Sequence, residues 1–207
     1  MGVREEIFNS LLDDAKALSI SLKYRDYLTF QHSERVKTLS LELGLACGLN
    51  QLDLDTLCIA AMFHDIGKIG IPDDILMKSE KFDETEWEIM QQHSAIGEEI
   101  MTSMNVGNSQ EVARLIRHHH ESYDGSGYPD HLSGNYIPLG SRIISIADSY
   151  DAISVTRVYH HARTHQETMA IMHEETGKKF DPNLMQLFCN LIELSPFKAA
   201  RKLESHA

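Results

Sequence analysis

A length of 207 residues suits one domain with a short extension, and 42% hydrophobic with 24% charged residues is the composition of a soluble globular chain with room for a single core. A formal net charge of −12 argues against nonspecific binding to a nucleic acid polymer or an anionic membrane, although bound cations can still draw in a small anionic substrate. No apolar run reaches the ~18 residues of a membrane span, no apolar segment of signal-peptide type follows Met1, and three cysteines without a Cys-x-x-Cys pair fit small core residues in a reducing, cytoplasmic compartment.

Helical periodicity dominates, with no repeat or linker, so the sequence predicts an all-α fold, a single helical bundle. A first helix is expected from about Val3 to Leu18, inside an N-terminal extension of residues 1–24. A second, from about Arg25 to Cys47, stops at Gly48, a residue favoured just past a helix end. Asp53 or Asp55 can cap a third that reaches about Ile66, and a loop through Ile69, Ile71 and Pro72 follows. Asp83 with Glu86 three residues on reads as a capping box for a fourth helix to about Met104. A fifth runs from about Gln110 to Glu121, followed by a Gly/Pro-rich loop from Tyr123 to Gly140. A sixth covers about Arg142 to Thr156. Asp181-Pro182 reads as N-cap and first-turn proline for a last helix to about Leu194, before a short tail at residues 197–207.

The chain has twelve histidines, and their positions matter more than their number. At ~100° per residue, one face of the second helix carries His32, Val36, Leu39 and Leu43. The third carries Leu57, Ala61, His64 and Asp65; the fourth Ile89, His93, Ile96 and Ile100. In the fifth, Val112, Leu115, Ile116, His119 and His120 align while His118 falls off the stripe; in the sixth, Ile144, Ala147, Asp148 and Asp151 align. A single histidine on an apolar stripe is ordinarily a hydrogen-bonded core residue. Five helices that each turn His or Asp inward need a common partner, because unpaired buried charge is costly. Metal ligation supplies one, and bundle cores are where facing helices build such sites. If Asp65 bridges two ions, one can take His32, His64, Asp65 and Asp148, and the other Asp65, His93, His119 and His120. Such nitrogen and oxygen sites without sulfur suit iron or manganese better than tetrahedral zinc. Two ions ~3.5–4 Å apart suit in-line displacement at phosphorus.

His64-Asp65-Ile66-Gly67-Lys68, followed by His119-His120-Glu121 and Gly127-Tyr128-Pro129, resembles the HD-GYP branch of the HD-domain metallohydrolases. Gln31-His32-Ser33, Gln92-His93-Ser94, Ala147-Asp148-Ser149-Tyr150-Asp151-Ala152 and Gly177-Lys178-Lys179-Phe180-Asp181-Pro182 match its other motifs in order, so the resemblance covers a domain of about residues 25–196. It implies a bundle of the HD-domain type and hydrolysis of cyclic di-GMP to linear pGpG or GMP by a metal-bridging hydroxide. It puts the ligands on His32, His64, Asp65, His93, His119, His120 and Asp148. Asp65, Lys68 and Asp151 would carry catalytic roles, Lys68 by reaching a phosphate or the hydroxide, Asp151 as a supporting or proton-handling carboxylate. Gly127, Tyr128 and Pro129 would form the substrate-side loop, Arg157 would contact the nucleotide, and the exposed loop could meet a GGDEF-type cyclase. The family's Arg-Pro-Tyr-Arg is here Arg157-Val158-Tyr159-His160, which leaves another cyclic dinucleotide, a nucleotide phosphate ester or a catalytically silent binding module as alternatives. Leu28 stands where members with a third metal tend to have a glutamate, so two divalent ions are expected. His131, His160, His161, His165, His173 and His206 are expected at the surface.

Overall fold

The computed structural model describes residues 20, 24, 27–104 (Leu28 by backbone alone), 108–154 and 163–199. The expected first helix, Arg157, Val158, Tyr159, His160, His161 and His206 lie outside the described residues. Within them the fold is all-α as expected, with nine α-helices, two 3-10 turns and no strand. No helix among the described residues is long and apolar enough to cross a membrane.

Helix α1 (Tyr27–Ala46) ends where anticipated, with Gly48 at φ +74°, the left-handed conformation that glycine adopts without penalty. Helix α2 (Gln51–Phe63) is capped by Asn50 rather than an aspartate; Asn50 Oδ1 accepts the Leu52 and Asp53 amides. Asp53 thereby falls in the first turn, where its charge favours the helix dipole. The expected loop after α2 is instead a 3-10 turn (Ile66–Gly70) and a short helix α3 (Asp73–Leu76).

The predicted fourth helix begins on its capping box but breaks at Gln92 into α4 (Glu84–Gln91) and α5 (His93–Ser103). At the break the His93 ring and the Ser94 hydroxyl bond the Met90 and Gln91 carbonyls. Helix α6 (Ser109–Arg117) is four residues shorter at its end than the apolar stripe suggested. The His118 and His119 rings bond the Arg114 and Ile116 carbonyls there, partners that a helix end leaves open. Helix α7 (Leu139–Ser154) follows, then α8 (His165–Glu174), which the sequence reading left out although Thr164 and Glu167 form a capping box. Helix α9 (Pro182–Ile192) starts on Asp181 and Pro182 as expected.

Helix α1 packs against α2 and α7, α2 against α6, and α6 against α5, which in turn lies on the 3-10 turn; α9 covers α1. Val36, Leu39, Leu43, Leu57, Ile116, Ile144, Tyr150 and Phe188 fill the middle. Each such side chain contributes roughly 1.5–3 kcal/mol by leaving water. The three cysteines are free and half-buried, and Cys47 and Cys189 pack against the core without belonging to its centre. The long loop before α7 is tied down: the Tyr123 and Asp124 amides donate to the Lys179 and Lys178 carbonyls at 3.1 and 2.8 Å.

Candidate metal centre

Three histidines of the cluster share one local device. His64 directly follows α2, His93 directly follows the break after α4, and His119 lies in the turn after α6. Each ring bonds, through Nδ1, the carbonyl three residues back: Ala61 at 2.8 Å, Met90 at 2.6 Å and Ile116 at 2.5 Å. A carbonyl only accepts, so Nδ1 carries the proton and Nε2 presents its lone pair. All three Nε2 atoms are buried without a hydrogen-bond partner among the described residues. An unsatisfied buried acceptor costs about 1–3 kcal/mol. Three such lone pairs beside carboxylates fit a cation, and the all N/O donor set fits a divalent one.

The donor atoms fall into two groups, each lying within 4.8 Å of one another: Asp65, His93, His119 and His120, and His32, His64 and Asp148. Asp65 faces both. Its Oδ1 is 3.7 Å from His93 Nε2 and its Oδ2 is 3.4 Å from His64 Nε2. The His64 and His119 rings are 5.2 Å apart, so the groups are contiguous. The structure thus brings all seven sequence-selected residues into one cluster. Burial, reinforced by the neighbouring His64 and His93, pushes His119 down to about 3, and burial also lowers His93 and His120; all three are neutral, the form that binds metal.

Each carboxylate of the cluster has a cationic partner. Although burial disfavours its charge, the Lys68 ammonium holds Asp65 well below the usual carboxylate range, and Lys68 Nζ donates to Asp65 Oδ2 at 2.6 Å. Asp148 pairs with His32 Nε2 at 3.0 Å. Asp151 stands on the far side of the same ring, where its Oδ2 accepts from His32 Nδ1 at 2.6 Å. Burial works against a charged His32, yet its bonds to Asp148 and Asp151 raise it to about 9. Asp151 also receives Arg35, a residue one turn after His32 that no apolar stripe singles out.

Gly127 is buried against the turn that carries the histidine pair: a Cβ there would lie 2.2 Å from the Ser122 nitrogen and 2.5 Å from the His120 carbonyl oxygen. The Tyr128 amide donates to that same carbonyl, and its ring lies 4.9 Å from the His120 ring. Burial pushes the Tyr128 hydroxyl up, so it stays protonated and can donate. Tyr128, Pro129, Glu88, Gln92 and Ala95 line a cleft of about 290 Å³ beside the cluster. Gly127 is therefore a packing element of the loop, while Tyr128 and Pro129 offer surface.

His118 points away from the cluster, with Nε2 at 2.9 Å from Asp130 Oδ2. Arg117 grips the same Asp130 carboxylate at 2.7 Å through both Nε and Nη2. His165, expected at the surface, is half-buried and joins the Tyr150 hydroxyl to Glu193. Glu121, which directly follows the histidine pair, holds the loop: its two oxygens accept the Asp130 and Leu132 amides at 2.7 and 3.1 Å. Glu121→Gln turns one acceptor into a donor facing an amide. It should cost about 1–3 kcal/mol of stability, read as a lower urea midpoint; an unchanged midpoint would remove this role.

A profile of the HD domain family matches residues 16–184. A cyclic di-GMP phosphodiesterase of Thermotoga maritima is 36% identical over 191 residues, 90% of this chain and 52% of that protein. A 3'3'-cGAMP-specific phosphodiesterase of Vibrio cholerae is 36% identical over 170 residues, 82% of this chain and 33% of that protein. The chain thus spans about half, or less, of the curated relatives it matches. An HDG"Y"P protein of Bdellovibrio bacteriovorus shares the fold with a TM-score of 0.65 at 20% identity, over 90% of this chain and 60% of that one.

Proposed function

The chain belongs to the HD-domain family, in its HD-GYP branch, and on that premise we propose that it is a phosphodiesterase that hydrolyses cyclic di-GMP to linear pGpG, GMP or both. The family implies divalent metal. In our reading two ions, iron or manganese, are held by His32, His64, Asp65, His93, His119, His120 and Asp148. The observation that carries this reading is the convergence of three buried, partnerless Nε2 lone pairs on a carboxylate that faces both donor groups. When bound, such ions neutralise phosphoryl charge and lower the pKa of water to about 7.

The chain's own residues do the remaining work. Asp65 ties the two donor groups together. Asp151 fixes the His32 ring from behind. Lys68, partly exposed at the rim, can meet a phosphoryl oxygen from its place on Asp65. Tyr128 offers a protonated hydroxyl and an aromatic face to the nucleotide, with Pro129 beside it. Arg157, outside the described residues, belongs to the same reading as a nucleotide contact. A GGDEF-type cyclase partner would meet Asp124, Ser126, Asp130 and His131, the exposed residues flanking Gly127-Tyr128-Pro129, since Gly127 is buried and Tyr128 and Pro129 half-buried.

A second substrate, 3'3'-cGAMP, is favoured by a relative of that specificity whose identity equals that of the cyclic di-GMP relative. Anaerobic purification, metal counting and product chromatography with both dinucleotides will decide. Two iron or manganese ions per chain with pGpG or GMP formed is the expected result. Faster turnover of cGAMP moves the specificity, binding without turnover in any metal indicates a silent receptor, and absence of metal under every loading condition overturns the reading.

A further inference from the structure

We propose that Arg35 is a positioning residue for one ion site only: acting through Asp151, it fixes the His32 ring and so sets occupancy of the His32–His64–Asp148 site. The proposal rests on the two-ion reading above.

The two donor groups are held by different devices. His64, His93 and His119 are anchored by carbonyls of the helix turn just behind them, contacts that form with the helix end itself. His32 lies inside α1, where the carbonyls one turn back serve the helix ladder. Its Nδ1 is held instead by Asp151 of α7, 119 residues along the chain, at 2.6 Å. A carboxylate on a rotatable side chain orients a ring only if it is itself oriented. Arg35 does that with a fork: Nε donates to Oδ1 at 2.6 Å and Nη2 to Oδ2 at 2.9 Å. The planar guanidinium fixes the plane of the carboxylate as a lysine ammonium cannot. It also supplies the charge that lets a side chain only 5% exposed stay ionised. Arg35 and His32 lie one turn apart on α1, so the chain Arg35–Asp151–His32 closes between α1 and α7 and touches neither His93, His119 nor His120.

Replacing a residue that orients a ligand typically costs 10–100-fold in metal affinity. The test is a Mn(II) titration of metal-free wild-type, Arg35→Ala and Arg35→Lys proteins, followed calorimetrically, with bound ions counted by mass spectrometry. Wild type should take two ions. Arg35→Ala should keep one site at wild-type affinity and lose about 10–100-fold at the other, with Arg35→Lys between the two. Millimolar guanidinium should restore the weakened site in Arg35→Ala, a rescue that general loosening of the fold would not give. If Arg35→Ala does not fold, Arg35→Lys and Asp151→Asn carry the same site-selective expectation. A wild type that takes two ions beside variants in which both sites weaken equally, or neither does, overturns the proposal alone. A wild type that takes fewer than two removes the premise and the proposal together.

Discussion

On the proposed phosphodiesterase reading, Asp65→Ala protein will hold no pair of ions and will hydrolyse cyclic di-GMP at least about 10³-fold more slowly than wild type. The two oxygens of this one carboxylate lie 3.7 Å from His93 Nε2 and 3.4 Å from His64 Nε2, in different donor groups. Truncating any one histidine removes a donor from a single group, whereas truncating Asp65 opens both. The fold should persist, because the freed Lys68, 29% exposed, can turn into water. Added Mn(II) should raise the melting temperature of wild type through preferential binding to the folded state and leave that of Asp65→Ala unchanged. A variant with two tightly bound ions and a wild-type rate would sink the shared-carboxylate geometry.

Among the described glycines, Gly67→Ala should be the most damaging substitution. A Cβ at this position would lie 1.8 Å from the His93 carbonyl oxygen and 2.6 Å from the Gly97 nitrogen. Both obstacles are main chain, so no rotamer change relieves them. The 3-10 turn and α5 must separate, at a cost of about 3 kcal/mol or more. They carry Lys68 and His93, and Asp65 directly precedes the turn. A displacement of about 1 Å in reacting geometry costs on the order of 10²-fold in rate. Gly48→Ala is the control: nothing lies within 4 Å of its Cβ, and only its φ of +74° resists, at about 1 kcal/mol. Urea midpoints and turnover of both variants check this, and equal midpoints would show that the close approach does not govern stability.

The helical faces carried much of the candidate site. His32, His64, Asp65, His93 and Asp148 were selected because a 3.6-residue period places each on an apolar stripe, and local periodicity needs no knowledge of the partner. His119 and His120 were selected by extending the fifth stripe too far. Helix α6 stops at Arg117, and a turn, not a helix face, delivers them. The break at Gln92 was hidden because an apolar period runs straight across it. Helix α8 had its signal in Thr164 and Glu167, identical in kind to the Asp83 and Glu86 box that was used. Arg35 was beyond reach for a different reason: its worth lies in a carboxylate 116 residues away, and a pairing of that range leaves no periodic trace.

The loop that presents Tyr128 is held to residues 178 and 179 by main-chain hydrogen bonds, two amides donating to two carbonyls. The side chains add a solvent-exposed attraction of Lys178 for Asp124, which screening makes weak. Lys178 and Lys179 could therefore drift to almost any other residue type without moving the loop, whereas a single inserted residue between Gly177 and Asp181 would shift the carbonyls out of register. The position of the Tyr128 surface is thus written in the spacing of a distant segment, and its mutational record would show as intolerance to insertions and deletions where substitutions pass unnoticed.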